Sequence, residues 1–297
     1  MIVTIVNPAA GRGKAAQVLR AIESTADGRR KNGIFTTESP GDEARLTRQA
    51  LHQGAAVIAV VGGDGTCSAI AQELLKEESD CALAVIPSGT GNDFAKTLGV
   101  DKATPRDVFQ LVARGIRTRI DVGLADDHYF LNSCGFGFDA SVLEATTRVR
   151  FLKGDAVYIY SALQQLFTYR GIEVSPNGAP GVKRGRMLMV TVSNGRFLGG
   201  AFKIAPRASV LDGKLEACFF SDANVVERVK LFVGALRGTH LRIPSVSTAS
   251  VRELALTFAN NPLMEIDGEL RRARSKTVEL KCIPRALAVV AAPGALG

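Results

Sequence analysis

The chain has no unbroken apolar run of about 18 residues, so it offers no transmembrane helix. It has no CxxC pair. Its five cysteines, Cys67, Cys81, Cys134, Cys218 and Cys282, are scattered and odd in number. That argues against a disulfide framework and for a reduced, cytosolic compartment. The three histidines, His52, His128 and His240, are isolated and suggest no metal-ligand set. No internal repeat and no low-complexity tract appears, which excludes collagen, coiled coil and bulk disorder. The first residues, Met1 to Val6, lack a basic region and lead into a glycine turn, so they read as a strand and not a signal peptide. What is present is ordinary globular material: 297 residues, 46% hydrophobic and 22% charged. At about 150 residues per domain, that suggests two domains. The net charge of +8 suits a polyanionic partner, be it nucleotide, nucleic acid or anionic membrane.

The first part alternates strand and helix signals. Ile2 to Val6 and Gly33 to Glu38 are strand-like, and Val57 to Val61 and Ala82 to Ile86 are continuous apolar runs. Such runs suit a parallel sheet buried on both faces. Between them lie helical stretches from Lys14, from Asp42 and after Thr66. The last has Cys67, Ile70, Ala71, Leu74 and Leu75 as its apolar stripe. Thr104-Pro105 opens a further helix, with Gly115 beyond its end. This is an α/β domain with a mostly parallel sheet. The rhythm changes near Val122. Strands then dominate: Tyr129 to Asn132, Met187 to Val192, Leu215 to Phe220, Leu254 to Phe258, Met264 to Ile266, Val278 to Cys282 and Ala286 to Val290. Several alternate with a period of two, as half-buried antiparallel strands do. Two helices interrupt, over about residues 152–169 and from Asn224. The second is expected to have a capping box completed by Glu227, and Val225, Val229, Phe232, Val233 and Leu236 as its stripe. Ser175 to Gly185 reads as a mobile loop. We therefore expect an α/β domain over 1–123 and a β-rich, sandwich-like domain over 124–282, with 283–297 able to pack back on the first. The first domain carries +1 and the remainder +7.

Gly62-Gly63-Asp64-Gly65-Thr66 stands between a buried strand and a helix, where open α/β sheets bind ligands. Its glycines permit close backbone approach, and the helix N-terminus presents N–H groups to a phosphate. Asp64 adds a carboxylate for Mg2+. A second glycine-rich turn, Pro87 to Ala95, follows the next strand, with Thr90 offering a hydroxyl. Asn92 and Asp93 there suit capping of the next helix. A third turn, Asn7 to Lys14, loosely matches a Rossmann fingerprint, with Glu38 at about the acidic position. It is not a Walker A loop, because Ala15 follows Lys14.

Together, in order, these motifs resemble the diacylglycerol kinase catalytic family, which includes bacterial lipid kinases and sphingosine and ceramide kinases. The resemblance spans nearly the whole chain. It includes the Asn-Pro-x-x-Gly turn at Asn7, Thr37 with Gly41-Asp42, Asn132 to Ala140, Ser193-Asn194-Gly195 through Pro206, Leu211-Asp212-Gly213, and Asp267-Gly268-Glu269. The resemblance implies an ATP site between the domains lined by Asn7, Pro8, Ala9, Ala10, Gly11, Thr37, Gly62, Gly63, Asp64, Gly65, Thr66, Cys67, Ser68 and Thr90. It implies that Glu269 is the general base acting on a lipid hydroxyl, with Asp64 helping to hold the catalytic Mg2+. A second, structural Mg2+ would take the carbonyls of Ser209 and Lys214 and the carboxylate of Asp212, although Leu211 stands where the family has another acid.

The expected activity is ATP- and Mg2+-dependent phosphorylation of a lipid hydroxyl, diacylglycerol-like. The expected place is the cytosol, with transient docking on the anionic inner membrane face. No nucleic-acid motif is present. A homodimer is compatible with the sequence. A NAD kinase shares GGDGT but departs from PSGTGNDFA, and a non-catalytic binding protein would not need both Asp64 and Glu269. The helix over 152–169 and its flanking Arg148, Arg150, Lys153 and Arg170 form a candidate lipid-facing element, as do Arg271, Arg272, Arg274 and Lys276.

Overall fold

The structure, a computed structural model, describes residues 1–24, 32–148 and 155–296. The chain forms two compact units. One comprises residues 1–122, 209–212 and 283–297; the other comprises 123–208 and 213–282.

In the first unit, strands alternate with helices: β1 (Ile2–Val6), α1 (Lys14–Ser24), β2 (Asn32–Thr36), α2 (Asp42–His52), β3 (Val57–Gly62), α3 (Asp64–Lys76), β4 (Ala82–Pro87), α4 (Asp93–Thr97) and α5 (Pro105–Ala113). The strands pair in the order β2-β1-β3-β4, all parallel. Val6 is level with Thr36 and with Val61, and Val61 with Ile86. The C-terminal ends of four strands therefore fall in one row. β3 is buried along its whole length, as its unbroken apolar run requires. Val57, Ala59, Val61, Ala84 and Ile86 pack with Val108 and Val112 of α5. α5 starts as its sequence dictates. Thr104 accepts from the Asp107 amide, Asp107 returns a bond to the Thr104 amide, and Pro105 stands at the first helical position.

The second unit begins within β5 (Thr118–Ala125) and continues with β6 (His128–Phe130), β7 (Ser133–Gly137), α6 (Phe138–Arg148), α7 (Asp155–Thr168), β8 (Ile172–Asn177), β9 (Gly185–Ser193), β10 (Leu215–Ser221), α8 (Val225–Arg237), β11 (Val246–Val251), β12 (Glu253–Phe258), β13 (Leu263–Ile266), β14 (Glu269–Arg272) and β15 (Thr277–Val289). Its strand pairs are antiparallel, among them β14-β13-β7-β9-β10-β11 and β8-β12-β15. Phe136, Val190, Val192 and Phe219 from the first run pack against Leu254, Leu256, Phe258, Val278 and Leu280 from the second. The Phe136 and Phe258 rings lie 5.1 Å apart. Two apolar faces packed in this way make a β-sandwich-like core.

Several expectations need correction. Val278–Cys282 and Ala286–Val290 are not two strands: β15 runs unbroken from Thr277 to Val289. Its start pairs with β12, and Val289 pairs in parallel with Leu83 of β4. The stretch from Ser175 is not wholly a loop, because Ser175 to Asn177 pair with β12. α8 has half of its expected cap: the Asn224 side chain accepts from the Glu227 amide, with no reciprocal bond recorded. Most of its stripe is also reversed: Arg228, Leu231, Gly234 and Ala235 are buried, Val225, Val229, Val233 and Leu236 are exposed, and Phe232 is half-buried with its ring 5.1 Å from that of Phe202. Leu152, Arg150 and Lys153 lie outside the described residues.

Candidate active site

The row of strand ends in the first unit gathers the glycine-rich turns. After β1, Asn7 does three things. Its side-chain oxygen accepts from the Ala9 amide (3.1 Å), and its side-chain amide donates to Thr66 Oγ1 (3.1 Å) and Glu43 Oε1 (3.4 Å). One side chain thus ties the turn after β1 to the starts of α2 and α3. Glu43 is buried and accepts from the Gly41 amide through Oε2. The sequence reading missed this role of Glu43; its signal is an acid in the first turn of a helix. Beside it, Asp42 accepts from the Glu38 and Ser39 amides (2.8 and 2.9 Å). Those two donors, with Arg45, hold its carboxyl down at about 2.

The turns touch through glycine. A Cβ on Gly11, whose φ is +61°, would lie 1.6 Å from the Ser88 carbonyl oxygen, and one on Gly89 would lie 2.5 Å from the Gly63 Cα. Only backbone fits at either point. α3 starts at Asp64 with Gly63 as N-cap and no side-chain cap. Its first-turn N–H groups are thus left without a side-chain cap, as donors that an anion can use. The Cys67 amide donates to the Gly63 carbonyl, and its side chain is buried. Ser68 is buried as well. The Ala9 and Ala10 amides are committed to Asn7. Thr37 is buried, with its amide on the Val6 carbonyl, and Thr90 is exposed at its loop tip.

Asp64 has a structural duty beyond the expected one. Its Oδ1 accepts from the Phe94 amide at 3.0 Å, and the Asp93 and Asn92 amides also favour its charged form. It therefore caps α4 from another loop. Asn92, expected to cap, has left-handed geometry (φ 52°) and instead donates to the Gly89 carbonyl. Burial raises the Asp64 carboxyl above its usual value despite those donors.

In the second unit three motif segments form one knot. Asp267 and Gly268 both have positive φ, the geometry of a two-residue hairpin turn between β13 and β14. The buried Asp267 carboxylate accepts from the amides of Leu131 (2.7 Å), Asn132 (2.8 Å) and Ser133 (3.1 Å). Asn194 donates to the Leu131 carbonyl. Asp267 is thus no solvated turn residue but the anchor that fixes the hairpin. Glu269, two positions on, points outward: its side chain is 52% exposed and pairs with Arg271 at 2.9 Å. It is accessible to a substrate hydroxyl. Arg272, Arg274 and Lys276 are exposed beyond it.

On β7, which pairs with β13, and at the start of α6, several polar atoms are buried. Asp139 Oδ1 accepts from the Ala140 amide, while buried Oδ2 lies against Gly135 with no partner. The hydroxyls of Ser133 and Ser193, opposite each other, are likewise buried without one. Burial pushes the Asp139 carboxyl up to about 7. Ser209, Asp212 and Lys214 lie along the segment leading to β10, with Asp212 and Leu211 both exposed. Asp212 is the one carboxylate there. Among the described residues no three His, Cys, Asp or Glu side chains cluster as a metal site.

A parallel α/β unit with glycine turns at its strand ends is thus joined in sequence to a β-sandwich with an acid on a hairpin. The family model of the diacylglycerol kinase catalytic domain matches residues 1–125, and that of the YegS C-terminal NAD kinase beta sandwich-like domain matches residues 132–291. The chain is 26% identical over 270 residues to the diacylglycerol kinase of Bacillus subtilis (strain 168), covering 89% of this chain and 88% of that one. It is 30% identical over 239 residues to a Pseudomonas putida protein named "Probable lipid kinase YegS-like", covering 77% and 78%. A crystal structure of a diacylglycerol kinase from Bacillus anthracis str. Sterne shares the fold, with TM-score 0.74 at 20% identity over 99% of this chain and 97% of that one. The chain belongs to the diacylglycerol kinase catalytic family, among the diacylglycerol and YegS-like lipid kinases.

Proposed function

We propose that this kinase transfers the γ-phosphate of ATP to the hydroxyl of a diacylglycerol-like lipid. The observation that carries the reading is the convergence of the first unit's turns, backbone against backbone, on the uncapped start of α3. Such a surface binds phosphate through N–H groups without requiring net positive charge, which fits a domain of +1. On this reading Asn7 to Gly11, Thr37, Gly62 to Thr66 and Thr90 surround the nucleotide. Gly65 and Thr66 amides, at the start of α3, hold its phosphates.

The residues fit a Mg2+ that arrives with the nucleotide: one carboxylate, Asp64, beside oxygens supplied by phosphate and water. The ion would neutralise phosphate oxygens during transfer. A second Mg2+ on the 209–214 turn would be structural, with Asp212 as its one carboxylate. Glu269 accepts the proton of the lipid hydroxyl. Its exposure leaves it open to the substrate, and Arg271 steadies its carboxylate. Asp267, clamped by three amides, fixes the backbone from which Glu269 projects. The enzyme would work in the cytosol and dock transiently on the inner membrane face, where its substrate resides.

The test is transfer of labelled γ-phosphate from ATP to a lipid panel that contains diacylglycerol, a sphingoid base, phosphatidylglycerol and a prenol, with NAD included. Label on a lipid, lost in Glu269→Gln, supports the reading. Label on NAD alone overturns it.

A further inference from the structure

Helix α8 faces outward with the side its sequence marks as a core stripe. Val225, Val226, Val229, Val233 and Leu236 are exposed, Val226 by 66%. The cause is polar. The buried Arg228 guanidinium donates to the carbonyls of Ala223 (2.8 Å) and Leu166 (2.9 Å) and to Asp222 Oδ1 (3.0 Å). These bonds fix the rotation of the helix about its axis. Gly234 then packs tightly against His240, 3.0 Å from whose Cα an added Cβ would lie. With Arg228 and Gly234 turned inward, the valines have nowhere to go but out.

At about 100° per residue, the five exposed side chains cover an arc of roughly 100°. Lys230 and Arg237, both exposed, border that arc on one side. Arg242, on the turn beyond the helix, joins Val225, Val226, Glu227, Lys230 and Ile243 around a shallow groove of about 830 Å³. Glu227 is the sole carboxylate of the helix and sits in its first turn, where it offsets the helix N-terminus. Phe167 of α7 is 62% exposed, next to the Leu166 whose carbonyl Arg228 holds.

An outward apolar stripe edged by cations has the chemistry of an interfacial helix: the valines enter the acyl boundary while Lys and Arg reach lipid phosphates. We propose that this face of α8 is the surface by which the chain docks on an anionic bilayer. The proposal rests on the lipid-kinase reading for its purpose, while the observations behind it involve neither the nucleotide loops nor Glu269.

The experiment is co-sedimentation of the full chain with vesicles of equal parts phosphatidylcholine and phosphatidylglycerol. Two variants are compared with the wild type: Val226→Asp with Val233→Asp, and Lys230→Ala with Arg237→Ala. Each is expected to weaken binding about tenfold or more. The second should also flatten the salt dependence of binding. Both substitute exposed positions, so their thermal unfolding and their turnover of short-chain diacylglycerol in detergent should match the wild type. Should the aspartates disturb folding, the alanine pair decides alone. Wild-type binding by the alanine pair overturns the proposal. So does a dimer in light scattering that the aspartates dissolve while vesicle binding persists, for the stripe would then belong to a second copy. Stripe-dependent vesicle binding by a protein that phosphorylates no lipid overturns the kinase reading and leaves the surface. Lipid phosphorylation in detergent with stripe-independent vesicle binding does the reverse.

Discussion

Asp64 and Asp267 do the same thing in the two units by different routes. Each gathers backbone amides from another segment and so holds two motifs together. Asp64 reaches 30 residues along the chain to Phe94, across neighbouring parallel loops. Asp267 reaches 134 to 136 residues back, to Leu131, Asn132 and Ser133. In the first unit the surface proposed to bind phosphate is the backbone itself, and Asp64 beside it, proposed to hold Mg2+, also ties the turns together. In the second unit the acid that anchors and the acid proposed to react are separate: Asp267 is buried and Glu269 is exposed two residues later. A phosphate surface made from N–H groups needs shape more than charge. A base needs an accessible carboxylate on a fixed support.

The largest effect should come from the exposed carboxylate of Glu269. Glu269→Gln is expected to lower kcat by about 10²–10⁴ with unfolding unchanged, checked by label transfer and a urea melt. Near-wild-type turnover would remove Glu269 from the role of base. Asp267→Ala should lower stability by roughly 3 kcal/mol, because it strips three buried amides of a charged acceptor, and activity should fall with it. A variant that stays stable but inactive would move Asp267 from anchor to reactant. Gly11→Ala should cost roughly 1–3 kcal/mol through its positive φ, and more where its methyl meets the Ser88 carbonyl, with nucleotide binding lost in a titration. Asp64→Ala is expected to abolish transfer and also to cost about 1 kcal/mol, since it uncaps α4.

The smallest effect is a slope. Asp139 has its carboxyl raised from 3.8 to about 7 by burial, so the folded chain holds a proton that the unfolded chain releases. Its contribution to stability falls as pH rises from about 4 to about 7 and is flat above that. Asp139→Asn should remove that part of the slope in melts taken across the window. An unchanged slope would mean that the carboxyl is solvated.

The motifs of the first unit were legible because each lies within one turn, between a strand and a helix whose patterns are local. The capping of α5 by Thr104 could be read in the same way. The exchange of roles between Asn92 and Asp64 could not, since it depends on which loops become neighbours. The second unit hides more. The knot of Asn132, Asn194 and Asp267 joins segments far apart in sequence. The join of β15 was obscured by its charged middle, Lys281 to Arg285. The α8 stripe misled because apolar spacing marks a face without saying which way a buried arginine will turn it.

The most direct measurement is the fate of the label from γ-labelled ATP, in wild type and Glu269→Gln, over the lipid panel and NAD. Label on a lipid hydroxyl, lost by a factor of about 10²–10⁴ in Glu269→Gln, is the expected result. Label on NAD alone, or equal lipid labelling by both proteins, would contradict it.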